Sequence, residues 1–320
     1  MNHLNNLNGW IALMHVADTG SMSTAASAMQ VEVSTVSRLI AGLEKSLGRE
    51  LIQRKSRPTK VTESGLSALD QVRPILQMHQ AFVTTLLDDS REMAGTIRLS
   101  VAPGTLPRLL MPMLIDFQKL YPKVEFSISS GRQINECLNG KIDVASVNGP
   151  VTEKGLVILD RGHPVYIAVA SPSYLEKHGF PARPEDLTQH VGFVYKGPVR
   201  PSTTSLEKSG ESRPIRWKSS MQSSDILMIK AAVMNGLGVA VDIPFAHCHE
   251  ELKRGELVPI LNGWHRPSLG ASVVCSQAAW HIRRVRVFMQ WYSERYREEF
   301  SELEKRAPEL LGEHYQHYFQ

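Results

Sequence analysis

The chain has 320 residues, enough for two or three modest domains, and its 42% hydrophobic and 21% charged composition suits ordinary buried cores. No apolar run nears the roughly 18–20 residues of a membrane-spanning helix. The start MNHLNNLNGW lacks the basic and apolar regions of a secretory signal, so a cytoplasmic location is expected.

The net charge of +4 is mild, but its distribution is not even. Arg38, Lys45, Arg49, Arg54, Lys55, Arg57 and Lys60 face only Glu44 and Glu50 over one short stretch, the electrostatic footprint of a polyanion site. Cys137, Cys248 and Cys275 are odd in number and far apart, with no CxxC pair. That pattern speaks against structural zinc and a disulfide framework. Buried free thiols are the expectation, and a redox switch is the alternative.

Trp10, Leu13, Met14 and Ala17 recur at one helix face, which Gly20 and Ser21 end. Ser23 reads as the N-cap of a second helix, TAASAMQ, and QVE as a turn. In the third helix Val33, Val36, Ile40, Leu43 and Leu47 form an apolar stripe, while Ser34, Ser37, Arg38 and Ala41 share another side. Two helices about a tight turn, the second presenting hydroxyls and an arginine, describe a helix-turn-helix whose recognition helix enters the major groove. RELIQRKSRPTKVT then suits two short strands about a KSRP turn, a wing that puts Arg54, Lys55 and Arg57 on flanking phosphates. From Glu63 to about Asp89 the pattern is helical again, and Pro74 is expected to kink it, because it removes an amide donor and crowds the preceding turn. A long, one-sided helix needs a partner, and a second copy of itself supplies one.

The remainder alternates strands and helices, the pattern of parallel pairing in an α/β region. Ile97, Leu99 and Val101 alternate, Leu110, Met113, Leu114 and Phe117 share a helix face, and Val124, Phe126 and Ile128 alternate again. KGPVRPSTTSLEKSGESRP, rich in turn formers, reads as a surface loop. IRRVRVFMQWYSERYREEF closes the region as an amphipathic helix, and the tail SELEKRAPELLGEHYQHYFQ reads either as an added helix or as a frayed end.

The string STAASAMQVEVSTVSRLIAGLEKSLGRELIQR, followed by VTESG, resembles the winged helix-turn-helix of LysR-type transcriptional regulators. The matching positions are Ala25-Ala26, Ser34, Val36-Ser37-Arg38, Ile40, Leu43-Glu44, Leu47-Gly48, Leu51, Arg54, Thr62 and Gly65. Glu32 and Val33 depart from the serine and glutamine that members usually carry, which removes a base-edge contact and puts a carboxylate beside phosphate. The later segments GTIRL, FQKLYP, GKID, SPSYL, PEDLTQH, GLG and GELV are similar to the effector-binding region of the same family.

The resemblance implies an α/β fold class with an N-terminal, α-rich winged helix-turn-helix over residues 1–62 and a linker helix for dimerisation over 63–92. A two-lobed domain like a periplasmic binding protein follows over 93–300, lobe I at about 93–163 and 271–300 and lobe II at about 164–270, before a tail at 301–320. Its implied partners are double-stranded DNA, a small-molecule effector and further copies of the chain, as a dimer and then a tetramer; no membrane and no cofactor are expected. DNA contacts are expected from Ala25, Ser34, Thr35, Ser37, Arg38, Arg54, Lys55 and Arg57. A polar or anionic effector is expected between the lobes at Gly104, Thr105, Ser130 and Ser224, near helix N-termini.

Sharper chemistry finds no support. Ser205-Leu206-Glu207-Lys208 fits an S-x-x-K pattern without its companion motifs. Gly236-Leu237-Gly238 lacks the third glycine of a dinucleotide turn. His247 and His249, two residues apart on a helix, cannot chelate one metal together, and His314 and His317 lie in the tail. No catalytic constellation emerges, and an enzyme is not expected; besides the redox-sensing regulator, a solute-binding module is the alternative that a two-lobed region permits.

Overall fold

The computed structural model describes residues 3–53, 56, 58–87, 93–105, 107–131, 134–197 and 200–318. Three helices open the chain: α1 (Leu7–Thr19), α2 (Met22–Met29) and α3 (Val33–Leu47). Gly20, at φ +66°, reverses the chain after α1, so the next extended residue is Ser21. Ser21 therefore caps α2, its side chain accepting from the Thr24 amide at 3.2 Å, and the cap expected at Ser23 is displaced by two residues. Gln30, also left-handed at φ 54°, makes the turn into α3.

Trp10, Leu13, Val16, Ala25, Ala26, Val36, Ile40 and Leu43 are buried together with Leu51 and Ile52. Val33 and Leu47 overhang this core at the two ends of α3 and stay exposed, so the apolar stripe is shorter than its sequence pattern. Strands β1 (Ile52–Gln53) and β2 (Lys60–Val61) pair antiparallel as a wing.

Helix α4 (Glu63–Leu87) runs through Pro74 as one element. Its Leu69 and Leu76 join the core of the first three helices. Arg73 is buried and ion-paired to Asp18 of α1, which ties the linker to the helix-turn-helix. Ile75, Met78 and Phe82, spaced i, i+3 and i+7, form an exposed apolar stripe farther along.

Lobe I contains β3 (Ala94–Val101), α5 (Pro107–Leu120), β4 (Lys123–Ser130), α6 (Asn135–Leu138), β5 (Val144–Asn148) and β6 (Leu156–Asp160). The chain then crosses to lobe II: β7 (Tyr166–Ala170), α7 (Pro172–His178), β8 (Val191–Tyr195), β9 (Ser205–Lys208), β10 (Glu211–Pro214), β11 (Ser219–Ser223), α8 (Ile226–Met234), β12 (Val239–Pro244), α9 (Phe245–Lys253) and β13 (Val258–Pro259). It returns to lobe I through β14 (Ala271–Ser276), α10 (Gln277–Trp280) and α11 (Arg283–Leu311).

The lobe I sheet has the order β4-β3-β5-β14-β6 and the lobe II sheet β11-β8-β12-β7-β13. In each, the strands reached by short helical crossovers are parallel, while β14 and β7 run antiparallel because the chain enters them from the other lobe. Asp143 locks the lobe I sheet, accepting from the Arg98 amide at 2.8 Å and from its guanidinium at 3.1 and 2.6 Å.

Two sequence expectations change here. The segment after Lys196 is not simply a surface loop: β9 and β10 form a hairpin, Leu206 is fully buried, and Arg200 and Thr203 are buried with it. A polar segment tolerates this because its polar groups find partners inside. At the C-terminus, α11 continues without interruption past residue 300, and Ala307, Leu311 and Tyr318 are buried in the lobe II core. The tail is a docked extension.

Candidate nucleic-acid interface and inter-lobe cleft

The outward side of α3 carries Ser34 and Arg38, both exposed, beside the half-buried Thr35 and Ser37. Arg38 donates from Nη2 to Thr35 Oγ1 at 3.2 Å, one helical turn back, which limits how far the guanidinium swings. Glu32 caps α3 through its backbone only, with no side-chain cap bond, so its carboxylate stays exposed at the helix start. Ala25 is fully buried between the helices, so its side chain packs the helix-turn-helix and is not available to DNA. Its methyl group is small because α2 packs closely there, a constraint that reads the same in sequence as a small contact residue. The hydroxyls of Ser23, Thr24 and Ser27 on α2 are exposed instead. The wing cations Arg54, Lys55 and Arg57 lie outside the described residues.

Between the lobes a cavity of about 500 Å³ opens at the C-terminal ends of β3 and β5. That is where ligands enter open α/β sheets, and the size suits a small molecule. Lobe I lines it with Pro103, Gly131, Asn135, Ser146, Asn148 and Glu153, and lobe II with Gly197, Arg200 and Pro201. Ser130 and Ser224, both exposed, border this wall beside Gly131 and Gly197 without lining it. The helix of the second lobe is capped by Asp225, whose side chain accepts from the Leu227 amide at 2.8 Å, one residue beyond Ser224.

Gly104 and Thr105 are spent on the fold. The Thr105 amide and hydroxyl both donate to the Ala102 carbonyl, at 3.1 and 2.7 Å, so neither is a free donor for a carboxylate. Gly104, at φ +81°, sits against lobe II: a Cβ there would lie 2.6 Å from Ile226 Cγ2, and its carbonyl meets His247 Nε2 at 2.9 Å. These residues hold the lobes together at the cleft edge.

The lobe II wall holds a charge cluster that the sequence reading missed. Arg200 donates to Asp242 Oδ2 at 2.6 Å and to its carbonyl at 3.0 Å, and Thr203 donates to the same carboxylate at 2.6 Å. Arg266 lies 4.0 Å from that carboxylate. The Arg200 guanidinium stacks over Tyr195 at 4.3 Å, and Tyr166 lies between the two arginines. Two buried guanidiniums thus share one carboxylate beside the cavity. Only Asp242, following the apolar run VAV, carried a sequence signal: a carboxylate inside a buried strand needs a buried cation.

His247 and His249 on α9 make separate contacts, His247 to Gly104 and His249 Nδ1 to the Ala246 carbonyl at 3.2 Å. Burial drives the His247 imidazole down to about 4, helped by nearby Lys230 and Arg108, so it is neutral at pH 7. All three cysteines are buried as free thiols. Burial raises the Cys275 thiol to about 12, and the Cys137 and Cys248 thiols are also pushed far up.

A helix-turn-helix with a wing, joined by a long helix to a two-lobed α/β domain with a cleft, defines a DNA-binding regulator with an effector domain. Residues 7–66 match the family model for the bacterial regulatory helix-turn-helix protein, lysR family, and residues 90–297 match the LysR substrate binding domain. The chain belongs to the LysR family of transcriptional regulators. It is 29% identical over 282 residues to the uncharacterized HTH-type transcriptional regulator YhjC of Escherichia coli, covering 86% of this chain and 93% of that one. It is 28% identical over 300 residues to an HTH-type transcriptional repressor of Pseudomonas aeruginosa, covering 92% and 93%. Among solved structures, full-length AphB of Vibrio cholerae, a virulence activator, superposes with a TM-score of 0.57 at 26% identity, over 89% of this chain and 97% of AphB. A full-length OxyR variant from Pseudomonas aeruginosa shares the fold with a TM-score of 0.69 at 15% identity, over 91% and 94%. Among the described residues no helix is long and apolar enough to cross a membrane.

Proposed function

We propose that this regulator binds double-stranded DNA through α3 and its wing, as a dimer that joins into a tetramer, and that a small polar or anionic effector in the inter-lobe cleft alters the binding or bending of that DNA. The observation that carries the DNA reading is the exposed Ser34–Arg38 face, with Arg38 held by Thr35 on a helix whose opposite side is core. An arginine restrained this way reaches a guanine edge at a lower entropic cost than a free one. Ser34, Thr35, Ser37 and Arg38 are the proposed contacts on α3, with Arg54, Lys55 and Arg57 on the wing.

The stripe Ile75, Met78 and Phe82 supports dimerisation through α4, since such a face is stable in water only when covered. Met111 and Ile115 on α5, with Met221 and Met228 on the far edge of lobe II, support a second contact between effector domains. For the effector, the cationic charge of Arg200 on the cavity wall, with Arg266 behind it, favours an anionic group, and Ser146 and Asn148, whose Oδ1 already accepts from Arg161 at 2.6 Å, stand on the facing wall.

The test is fluorescence anisotropy on the DNA upstream of the protein's own gene, through a salt series, for wild type and Arg38→Ala. Wild type is expected to prefer that DNA over random sequence by about 10³-fold or more. Arg38→Ala is expected to lose about 1–3 kcal/mol of that preference. Equal, weak binding of both proteins to both DNAs would overturn the placement of the recognition helix.

A further inference from the structure

We infer that the C-terminal extension is a brace, a third connection between the lobes that holds them at one angle, so that a cleft ligand signals without hinge closure. Two strand crossovers join the lobes, one over residues 161–165 from β6 to β7 and one over 266–270 into β14. Two such strands side by side form a hinge. A cavity of about 430 Å³ lies between these crossovers and α11, with Gly162, Pro164 and Ser268 on one wall and Arg297, Leu303 and Glu304 on the other, so the helix meets the crossovers at few points.

Helix α11 spans this gap. Its first half lies in the lobe I core through Val285, Phe288, Met289, Tyr292 and Tyr296. Its second half enters the lobe II core through Ala307 and Leu311, with Leu303 and Leu310 packed beside them. Phe300, between the halves, sits on the first crossover so closely that a Cβ at Gly162 would lie 2.6 Å from its ring. The end is anchored as well. Tyr318 is buried with its ring 5.4 Å from that of His265, and the His317 ring packs on Gly263, where a Cβ would lie 2.7 Å from it.

Across the cleft edge, Arg108 of lobe I donates to the Ala246 carbonyl at 2.9 Å and His247 meets Gly104. The lobes are thus clamped on two sides of the hinge. A helix embedded in both cores, even one that contains Pro308, cannot follow a large change of lobe angle without drawing Leu311, and with it the following segment that buries Tyr318, toward water. The matched substrate-binding region ends at residue 297, so the half of the brace that docks on lobe II is built from residues beyond it. Its consequence for signalling rests on the effector reading above: ligand must then act through the packing of subunits rather than by closing the lobes.

The test measures the inter-lobe distance in the full-length, ligand-free protein, which keeps it independent of whether the cleft binds anything. Spin labels go on Lys154→Cys in lobe I and Lys177→Cys in lobe II, both exposed, while the native thiols are buried. Excess unlabelled protein isolates distances within one chain. Wild type is expected to give one narrow distance distribution. The chain ending at Arg297, and separately Leu311→Asp, are expected to broaden it and to lose hydrogen-exchange protection at residues 161–165 and 266–270. A broad wild-type distribution would overturn the brace, as would a folded variant that keeps the narrow one. Should the shortened chain fail to fold, Leu311→Asp and the wild-type distribution decide.

Discussion

Arg200 and Asp242 form a buried ion pair at 2.6 Å between a segment that looks like a surface loop and the central strand of lobe II. Arg200 lines one wall of the inter-lobe cavity with Asp242 behind it, so the stability of the pair and the shape of the cleft are linked. Asp242→Ala strands Arg200 and Arg266 without a carboxylate and is expected to cost about 3–5 kcal/mol. Arg200→Met is expected to cost less, because Arg266 stays 4.0 Å from Asp242. Urea unfolding checks the order, and a reversed order would remove Asp242 as the hub.

His247 makes stability depend on pH. Its folded pKa lies near 4, below the roughly 6.5 of an unfolded histidine. Between those values the unfolded chain binds a proton that the native state does not, so stability falls as pH drops from about 6.5 toward 4. The loss is about 1.4 kcal/mol per pH unit from this one group, and it levels off below the folded pKa. Lys230 and Arg108 push in this direction and Glu251 opposes it. Melting temperatures across that window should drop for wild type and drop less for His247→Asn; parallel curves would show that another group is responsible.

Gly104→Ala tests the contact at the cleft edge. The residue is left-handed at φ +81° and a methyl group there meets Ile226 at 2.6 Å. Both backbone strain and crowding oppose the substitution, which is expected to destabilise the protein by about 1–3 kcal/mol. Chemical denaturation with an unchanged midpoint would mean that the lobes separate freely at this point.

Thiol reactivity decides the redox alternative. With Cys275 raised to about 12 and all three thiols buried, thiolate is scarce near neutral pH. Peroxide treatment of the native protein is expected to leave Cys137, Cys248 and Cys275 unmodified by mass spectrometry. A Cys137–Cys275 linkage formed without unfolding would revive a redox-sensing role.

The helix-turn-helix was legible in the chain because its information is local. Gly20, the spacing of Val36, Ile40 and Leu43, and the face of Ser34 and Arg38 all act within two or three turns of helix, whereas the hydroxyl cap falls at Ser21, two residues before the Ser23 that the pattern suggests. Even there, Ala25 shows the limit: a small residue facing a neighbouring helix and one facing a groove are written alike, and only packing tells them apart.

The cleft was legible as a place and less so as a set of residues. Strand ends and turns marked Gly104, Thr105, Ser130 and Ser224, but the polar groups of the first two are taken up by Ala102 and His247, contacts that depend on how the lobes meet. Arg200 looked solvent-exposed because turn-forming neighbours predict a loop, and its burial depends on Asp242, far along the chain. The tail was the most ambiguous segment of all. Its apolar residues Ala307, Leu311 and Tyr318 are sparse among charges, and they become a helical brace only because lobe II presents a matching apolar face beside the end of α11. Local periodicity therefore determined most of the helices and strands and the polar face of α3. Tertiary structure alone decided which polar groups stay free and which segments are docked, since burial depends on what lies opposite each side chain.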